Sequence, residues 1–298
     1  GSPLAEMYAE GGHDVRVLWR SLESGDTRHD PGTGVPGITR VGWKADGAIG
    51  PWCTALEGAD AVVNLSGESL ASTRWSAESK KRFRESRLLA TRSLAGAIRA
   101  ASSPPAVLVS GSAVGYYGPR DDRPLTEADA AGTDFLAQLC VDWEAEASRA
   151  ERPGTRVVLL RTGIVLERSG GALPEMMRPF RFFVGGPIGS GRQYVSWIHR
   201  LDWIEMVRWI VQTPTVSGPV NATAPQPVTN RHLSHALGHA MHRPSFMPAP
   251  GFVLKIVVGE FAESILTGQR VLPARAQKAG YHFRYPEIEQ AFRGILGD

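Results

Sequence analysis

Residues 107–118, which read VLVSGSAVGYYG, place a serine and two tyrosines directly after an apolar stretch. Hydroxyl groups of these types can polarise a carbonyl group or carry a proton during a reaction. In open α/β sheets, ligands bind in the crevice at the carboxyl ends of the strands. We therefore expect residues 107–109 to form a buried strand, and Ser112, Tyr116 and Tyr117 to be candidate catalytic residues at such a crevice.

The composition of the chain is typical of a globular protein with a sizeable core, since 42% of its 298 residues are hydrophobic and 21% are charged. A net charge of +3 is too small to indicate a nucleic-acid or membrane partner. No apolar run approaches the roughly 20 residues of a membrane span. The two cysteines, Cys53 and Cys140, make no disulfide framework, and no signal peptide opens the chain. These features favour a reducing, cytoplasmic location.

Apolar stretches that predict strands alternate with amphipathic stretches that predict helices over the first part of the chain. The predicted strands span residues 14–20, 38–44, 59–65, 107–109 and 156–166, and the predicted helices span 3–12, 76–101 and 135–150. This alternation favours an α/β fold with a doubly wound parallel sheet that is buried on both faces. We assign it to a nucleotide-binding domain over residues 1–168.

The pattern changes after residue 168, where glycine and proline become frequent and periodic signals are few. Helices are predicted at 201–212, at 230–242 and at about 251–267, with a short strand at 220–222. We interpret residues 169–298 as a smaller C-terminal substrate lobe, partly woven back onto the sheet.

The beginning of the sequence departs from this fold class. A doubly wound nucleotide-binding sheet normally opens with a strand and a glycine-rich turn, which lays a pyrophosphate on the first helix. This chain opens at the helix, so Gly1 fits the last glycine of such a turn; alternatively, Gly1 and Ser2 are a cloning scar. We expect the first strand and most of the phosphate loop to be absent from this sequence.

Several motifs together resemble the extended short-chain dehydrogenases/reductases, and more narrowly their atypical branch of epimerase family proteins of the 39U type, described as nucleoside-diphosphate-sugar epimerases. The resemblance covers nearly the whole chain. It rests on NLSGES at 64–69, SAVGYYG at 112–118, PLTE at 124–127, RTGIVL at 161–166, WIHRLD at 197–202, NATAP at 221–225 and the closing segment 268–292.

The resemblance implies a Rossmann-like domain that binds NADP(H). Arg20, at the end of the second strand, would face the 2′-phosphate and so favour NADP over NAD. Arg87 would fork onto a phosphate, although a solvated helix face is an equally good interpretation. The full set of implied cofactor-binding residues is Gly1, Trp19, Arg20, Leu65, Ser66, Gly67, Arg87, Ser110, Gly111, Arg161 and Thr162.

The catalytic pair of this class is missing. The expected Tyr-x-x-x-Lys should fall within residues 133–144, which read TDFLAQLCVDWE, and Leu136 and Cys140 stand at its two positions. A tyrosine with a pKa near 10 needs the lysine to act at neutral pH. Tyr116 or Tyr117 could replace the tyrosine in space, but no residue of the motif supplies the lysine.

Two functional hypotheses follow. The first is a non-standard NADP(H)-dependent epimerase or oxidoreductase that acts on a small molecule such as a nucleotide sugar. The second is a catalytically inactive, NADP-sensing or partner-binding module on the same fold. We leave a homodimer open.

The resemblance also places Trp197, His199 and Asp202 at the border of the substrate, with Met177 on an apolar wall. A structural role for His199 and a core position for Met177 are the alternatives. A series of histidines, at 232, 235, 239 and 242, suggests a metal array on one helix face. A solvated polar face is the better interpretation, because one helix aims about two of them at one ion, and we expect no metal.

Overall fold

The computed structural model describes residues 1–19, 35–71 and 73–297, so Arg20 lies outside the described residues. The strands are β1 (Val15–Trp19), β2 (Ile38–Gly42), β3 (Ala61–Asn64), β4 (Val107–Ala113), β5 (Pro124–Leu125), β6 (Arg156–Thr162), β7 (Ile164–Leu166), β8 (Tyr194–Val195), β9 (Trp197–His199), β10 (Gly218–Ala222), β11 (Val228–Thr229) and β12 (Arg270–Val271). The α-helices are α1 (Ser2–Glu10), α2 (Ala77–Ala100), α3 (Phe135–Ser148), α4 (Leu173–Arg181), α5 (Arg200–Gln212), α6 (Asn230–Ala240), α7 (Gly251–Val258), α8 (Phe261–Leu266), α9 (Ala274–Lys278) and α10 (Ile288–Leu296).

The main sheet has the strand order β10-β6-β4-β3, and all its strands are parallel. A second parallel ladder joins β1 to β2. This arrangement confirms the predicted α/β class with a parallel sheet. Strand β10 comes from the C-terminal part of the chain and pairs with β6, so that part of the chain contributes directly to the main sheet.

The central strands are apolar on both faces because helices cover both. Val107 and Val109 of β4 belong to a core cluster that includes Ile204 and Val207 of α5. Leu108, between them in sequence, belongs to a different cluster together with residues of α2. Successive side chains of a strand point to opposite faces. The continuous apolar run therefore reflects burial on both sides of a parallel sheet.

Helix α3 lies beside α2 and carries side chains of the candidate site. Its N-terminus is capped by Asp134, whose side chain accepts a hydrogen bond from the backbone N–H of Ala137. The helix buries Leu139, Trp143 and Glu144. A buried glutamate on an otherwise apolar helix face needs a partner.

Two predicted strands differ from the structure. Strand β4 continues to Ala113, so Ser110 and Ser112 lie within the strand and not in a turn after it. The predicted strand at 156–166 is two strands, β6 and β7, which separate at Gly163. A Cβ at this glycine would lie 2.5 Å from the carbonyl oxygen of Ser196. The segment around Ser196 passes so close to Gly163 that the main-sheet ladder ends here, and β7 pairs with β9 instead.

Helices in the C-terminal part account for the other differences. Helix α4 was not predicted, because a proline inside it, Pro179, is a residue that normally ends a helix. The helix predicted at about 251–267 is divided into α7 and α8 at Gly259, which has a φ of 67°. Glycine adopts this left-handed conformation at little cost.

Asp202, at the beginning of α5, attaches the C-terminal segment to this helix. Its carboxylate accepts hydrogen bonds from the backbone N–H groups of Arg284 and Tyr285, at 2.7 and 2.9 Å. Its carbonyl oxygen accepts a bond from the hydroxyl of Tyr281, at 2.8 Å. Only 2% of Asp202 is exposed. The residue therefore holds two segments of the chain together inside the protein.

His199 stands at the N-cap of α5, where its Nδ1 accepts a hydrogen bond from the backbone N–H of Leu201 at 3.1 Å. Its ring stacks on that of Tyr285, with a centroid distance of 3.9 Å. Burial, together with the positive charges of Arg200 and Arg284, lowers the pKa of His199 to about 4. The imidazole is therefore neutral near pH 7 and acts as a hydrogen-bond acceptor for the helix.

We predict that acid destabilises the protein through His199. The folded pKa of about 4 lies below the unfolded value of 6.5, so the unfolded chain binds the proton first. Stability should fall between about pH 6.5 and pH 4, with a contribution of roughly 2–3 kcal/mol from this residue. His199→Asn keeps a capping acceptor but does not titrate. Urea denaturation should show a larger loss between pH 7 and 4.5 in the wild type than in this variant; parallel losses would contradict the assignment.

We also predict that Asp202→Ala leaves two partly buried backbone N–H groups without acceptors and lowers the free energy of unfolding by about 2–4 kcal/mol. Glu205 lies on the same helix but at the surface, 3.5 Å from Arg208. Glu205→Ala is therefore the matched control, with an expected change below about 0.5 kcal/mol. Limited proteolysis of the native protein should cut near residues 281–285 faster in Asp202→Ala. Equal stability and equal cutting in both variants would show that Asp202 does not attach the segment.

Candidate active site

Ser112, Glu144 and Arg161 form a buried polar cluster at the carboxyl ends of β4 and β6. The hydroxyl of Ser112 donates to Glu144 Oε1 at 2.7 Å. Arg161 donates from Nε and Nη2 to the two carboxylate oxygens of Glu144, at 2.8 and 2.9 Å. Each of the three residues is less than a tenth exposed. The register of the parallel strands places Ser112 directly opposite Arg161, and α3 brings Glu144 to both.

The cluster is held together by charge. Burial disfavours the guanidinium cation of Arg161, but the carboxylate of Glu144 outweighs it and raises the pKa of Arg161 above its usual value. The two planar groups meet in a bidentate arrangement, which is the strongest geometry for such a pair. Removing one partner of a buried ion pair typically costs about 3–5 kcal/mol, because the other charge remains without compensation.

Tyr117 is part of the same network and is fully buried. Its hydroxyl donates to Asn221 Oδ1 at 2.7 Å and accepts from Arg161 Nη1 at 3.1 Å. Burial raises the pKa of Tyr117 to about 12, in spite of the opposing effect of Arg161. This phenol joins β4 to β10 inside the protein. These contacts give Tyr117 a structural role in the network, and its catalytic role stays a prediction.

Tyr116 occupies a different environment from its neighbour, because it is partly exposed. The guanidinium carbon of Arg161 lies 3.4 Å from the centroid of its ring, and the ring of Tyr117 meets it edge to face at 5.3 Å. A guanidinium over an aromatic face is an attractive contact that fixes the ring. Tyr116 is therefore the tyrosine of the pair that a ligand can reach.

The position at which the class carries lysine holds a neutral group. Cys140 donates from Sγ to the carbonyl oxygen of Ala113, at 3.7 Å. Burial, together with the negative charge of Glu144, raises the pKa of Cys140 to about 12. The thiol is therefore protonated at neutral pH and supplies no charge. Ser112 has a single hydroxyl proton and donates it to Glu144, so in this arrangement it can only accept a further hydrogen bond.

The end of β3 and helix α2 form the part of the site that suits a phosphate. Asn64 Oδ1 accepts from the backbone N–H of Ser66 at 3.1 Å and thereby bends the chain after the strand. Arg87 lies against this turn, since a Cβ at Gly67 would be 3.0 Å from its Cζ atom. Its Nη1 donates to the carbonyl oxygen of Phe83, at 3.0 Å.

Burial lowers the pKa of the Arg87 guanidinium, and this arginine makes no ion pair with a carboxylate among the residues that the structure describes. Its cation–π contact with Trp143 spans 5.3 Å. A half-buried cation beside a glycine backbone is a suitable cradle for an anionic group. These residues therefore fit a cofactor phosphate.

The other predicted cofactor residues fall into two groups. Trp19, Leu65 and Thr162 lie at or just after the carboxyl ends of strands, and Gly1 is the N-cap of α1. Ser110 is fully buried and Arg161 is ion-paired with Glu144, and the cofactor contacts expected of these two stay predictions. A Cβ at Gly111 would lie 3.2 Å from the ring of Trp143, which leaves little room for a side chain.

The predicted substrate residues are not gathered at the strand ends. Trp197 is fully buried and donates from Nε1 to the carbonyl oxygen of Gln226 at 3.1 Å, while Met177 is 6% exposed in the same core cluster. His199 and Asp202 hold the C-terminal segment, as described above. The side chains of all four are buried against other parts of the chain in this structure, and their roles at the substrate stay predictions.

The histidines of α6 do not form one array. His232 pairs with Glu289 at 2.6 Å, and His235 contacts the hydroxyl of Ser245 at 2.8 Å. The helix ends at Ala240, so His242 lies beyond it with a φ of 53°. Within the described residues, no group of three or more potential metal ligands comes together.

Sequence reasoning missed Glu144, Asn221 and Glu127 as parts of the network. Asn221 Nδ2 donates to the carbonyl oxygen of Leu272 at 2.9 Å, and its backbone N–H donates to Glu127 Oε1 at 3.0 Å. The sequence holds two signals of this network, a glutamate on the apolar face of α3, Glu144, and an arginine at the end of an apolar strand, Arg161. A buried charge of one sign indicates a partner of the other.

Comparison with known proteins places these features in context. Residues 249–295 match a domain of unknown function, DUF1731. The chain is 39% identical over 298 residues to the chloroplastic SDR39U1 homolog of Arabidopsis thaliana, an epimerase family protein, with coverage of 99% of this chain and 83% of the relative. No helix among the described residues is both long and apolar enough to cross a membrane.

Two solved structures are similar along the chain. The human epimerase family protein SDR39U1 (isoform 2), solved with NADPH, has a TM-score of 0.87 and 35% identity, covering 100% of this chain and 96% of the human one. The nucleoside-diphosphate sugar epimerase of Corynebacterium glutamicum has a TM-score of 0.70 and 29% identity, covering 99% of this chain and 61% of that one.

The fold is therefore Rossmann-like, and the motifs that predicted an epimerase family protein are confirmed. Residues 1–222 match the NAD dependent epimerase/dehydratase family over more than half of the chain. Because this match covers most of the chain, the chain belongs to the NAD dependent epimerase/dehydratase family.

Proposed function

We propose that this protein is an NADP(H)-dependent epimerase or oxidoreductase of a nucleotide sugar, in which Tyr116 transfers the proton and Arg161 positions Tyr116. One observation carries the proposal. The guanidinium of Arg161 lies 3.4 Å from the centre of the Tyr116 ring and is itself locked by Glu144. The partly exposed tyrosine at the end of β4 is thus held in a fixed orientation without the lysine of the class.

The choice of NADP is supported by the human relative, 35% identical, which was solved with NADPH. Binding of a cofactor phosphate is supported by Arg87, a half-buried cation that makes no ion pair with the described carboxylates and lies beside the turn after β3. A nucleotide-sugar substrate is supported by the similarity to the Corynebacterium glutamicum protein, named a nucleoside-diphosphate sugar epimerase. The homodimer and the two-domain division at residue 168 remain predictions.

The bound cofactor would supply or accept a hydride at a sugar carbon. Tyr116 would give its phenolic proton to the oxygen of that carbon during reduction and take it back during oxidation. Because Glu144 balances the charge of Arg161, this arginine acts mainly by fixing the ring. Ser112 would assist only after its hydroxyl turns from Glu144 to the substrate, and the loss of that bond opposes the turn.

We predict that Tyr116→Phe lowers kcat at least 100-fold, because the proton carrier is lost, while the Kd for NADPH changes less than twofold. Tyr117→Phe is the matched control. It should lower stability by about 1–3 kcal/mol and kcat less than tenfold. The measurement is NADPH oxidation with a panel of 4-keto nucleotide sugars. A greater loss of kcat in Tyr117→Phe than in Tyr116→Phe would reverse the assignment, and NADPH binding without turnover of any substrate would favour the inactive, sensing module.

The two predicted cofactor arginines can be separated by comparing NADPH with NADH. Arg20→Ala should weaken NADPH binding at least tenfold and NADH binding less than twofold, because only NADPH carries the 2′-phosphate. Arg87→Met should weaken the binding of NADPH and of NADH at least tenfold, because the proposal places Arg87 on a phosphate that the two cofactors share. Arg99→Met, at the exposed end of the same helix α2, should change neither. Fluorescence titration of the reduced cofactors measures all three, and unchanged affinities in the first two variants would remove both arginines from the cofactor site.

A further inference from the structure

The most exposed large apolar side chains of the described residues come from three neighbouring segments in the C-terminal part of the chain. Phe182, Phe246, Phe252 and Ile256 are each at least 67% exposed. Soluble proteins rarely leave such side chains together at the surface unless a partner covers them. We call this set the apolar patch, and its members are Phe182, Phe183 and Val184 after α4, Phe246 and Met247 before α7, and Phe252 and Ile256 on α7.

Backbone contacts hold the first two segments of the patch side by side. The N–H of Met247 donates to the carbonyl oxygen of Gly185 at 3.2 Å. A Cβ at Gly186 would overlap the carbonyl oxygen of Met247, so glycine permits this close approach. The apolar side chains next to these contacts, on the two segments, therefore belong to one surface.

Helix α7 extends the patch from the second segment. Its sequence, GFVLKIVV at 251–258, contains a single charged residue, Lys255. A helix that is apolar on nearly all sides is normally buried. Phe252 and Ile256 are nevertheless exposed, and their spacing of four residues places them on the same face of α7. The helix thus presents an apolar face that no other part of the described chain covers.

Positive charge borders the patch. The guanidinium carbon of Arg243 lies 4.6 Å from the centroid of the Phe183 ring, and Arg181 is exposed directly before Phe182. The net charge of the whole chain, +3, gave no sign of this local excess. Residues 176–187 and 241–258 contain no aspartate or glutamate but four basic residues, namely Arg178, Arg181, Arg243 and Lys255.

Two glutamates lie near the ends of these ranges, and each of them has a basic partner. Glu175 lies 3.8 Å from Arg178, and Glu260 lies 2.5 Å from Lys80 of α2. The pair with Arg178 offsets one of the four positive charges. The surface as a whole therefore complements a partner that is apolar in its interior and negatively charged at its surface.

An anionic bilayer fits this description better than a protein does. A second copy in a two-fold contact would bring the same basic residues onto each other. A groove for a peptide needs partly buried walls, whereas the largest side chains of the patch project into solvent. In a bilayer, phenylalanine and isoleucine enter the boundary between headgroups and acyl chains, while arginines stay among the lipid phosphates.

We propose that the apolar patch docks this protein on the surface of an anionic phospholipid bilayer. Phe182, Phe246, Phe252 and Ile256 insert below the headgroups, and Arg181 and Arg243 contact lipid phosphates. The contact is peripheral and reversible. The inference concerns where the protein works, and it does not depend on the reaction proposed above.

The test is co-sedimentation of the full chain with vesicles of phosphatidylglycerol and phosphatidylcholine in about equal amounts, and with vesicles of phosphatidylcholine alone. The wild type should bind the mixed vesicles at least tenfold more tightly, and high salt should weaken this binding because it screens the charges. Phe246→Ser and Phe252→Ser should each weaken binding to the mixed vesicles at least fivefold, because less apolar surface is inserted. Ile49→Ser is the matched control, since Ile49 is exposed but lies outside the patch, and it should leave binding unchanged.

A second pair of variants tests the role of charge. Arg181→Gln should weaken binding to the mixed vesicles at least threefold and reduce its salt dependence. Arg99→Gln, at the exposed end of α2, is the control and should change neither. Circular dichroism and NADPH titration check that each variant is folded.

Three outcomes would overturn the inference. The first is a wild type that does not bind the mixed vesicles, or that binds neutral vesicles equally well. The second is equal binding in the patch variants and in Ile49→Ser. The third is a dimer, measured by light scattering without lipid, that Phe246→Ser dissociates, because a second copy would then cover the patch. None of these outcomes bears on Tyr116-dependent turnover, which is measured separately.

Discussion

The ion pair between Glu144 and Arg161 is the interaction on which the rest of the site depends. It joins α3 to β6, receives the hydroxyl of Ser112 from β4, and extends through Tyr117 to Asn221 on β10. A single buried charge would be too costly to keep, so each partner requires the other. The positions of three neighbouring strand ends are therefore determined together by one pair of charges.

This arrangement explains how the site can lack the lysine of its class and still present a tyrosine. In the usual arrangement a cation beside the tyrosine favours the phenolate. Here the corresponding helix position is a protonated thiol, Cys140, and the cation comes from the neighbouring strand as Arg161. Because that cation is balanced by Glu144, it contributes orientation more than charge. In the proposed function, proton transfer therefore depends on the orientation of Tyr116.

The sequence predicted the parallel sheet, because buried parallel strands have a continuous apolar pattern, but it ended β4 at residue 109 instead of Ala113. It could not predict which polar residues meet. Ser112 faces Arg161 only through the register of β4 and β6, and no local pattern determines that register. His199 and Asp202 resembled site residues, although Asp202 bonds to backbone groups of a distant segment and His199 accepts a bond from Leu201 in its own helix. The missed helix α4 and the division at Gly163 likewise depend on neighbours far away in the chain.

The bonds from Asn221 to Leu272, and from Asp202 to Arg284 and Tyr285, also bear on the order of folding. These contacts join residues that are far apart in sequence, and such contacts form late because closing a long loop is entropically costly. During synthesis the main sheet can assemble from residues already outside the ribosome, since domains fold as their segments emerge. The polar network must wait for the C-terminal segment. The protein therefore completes its candidate active site only after the segment around Leu272 has been made.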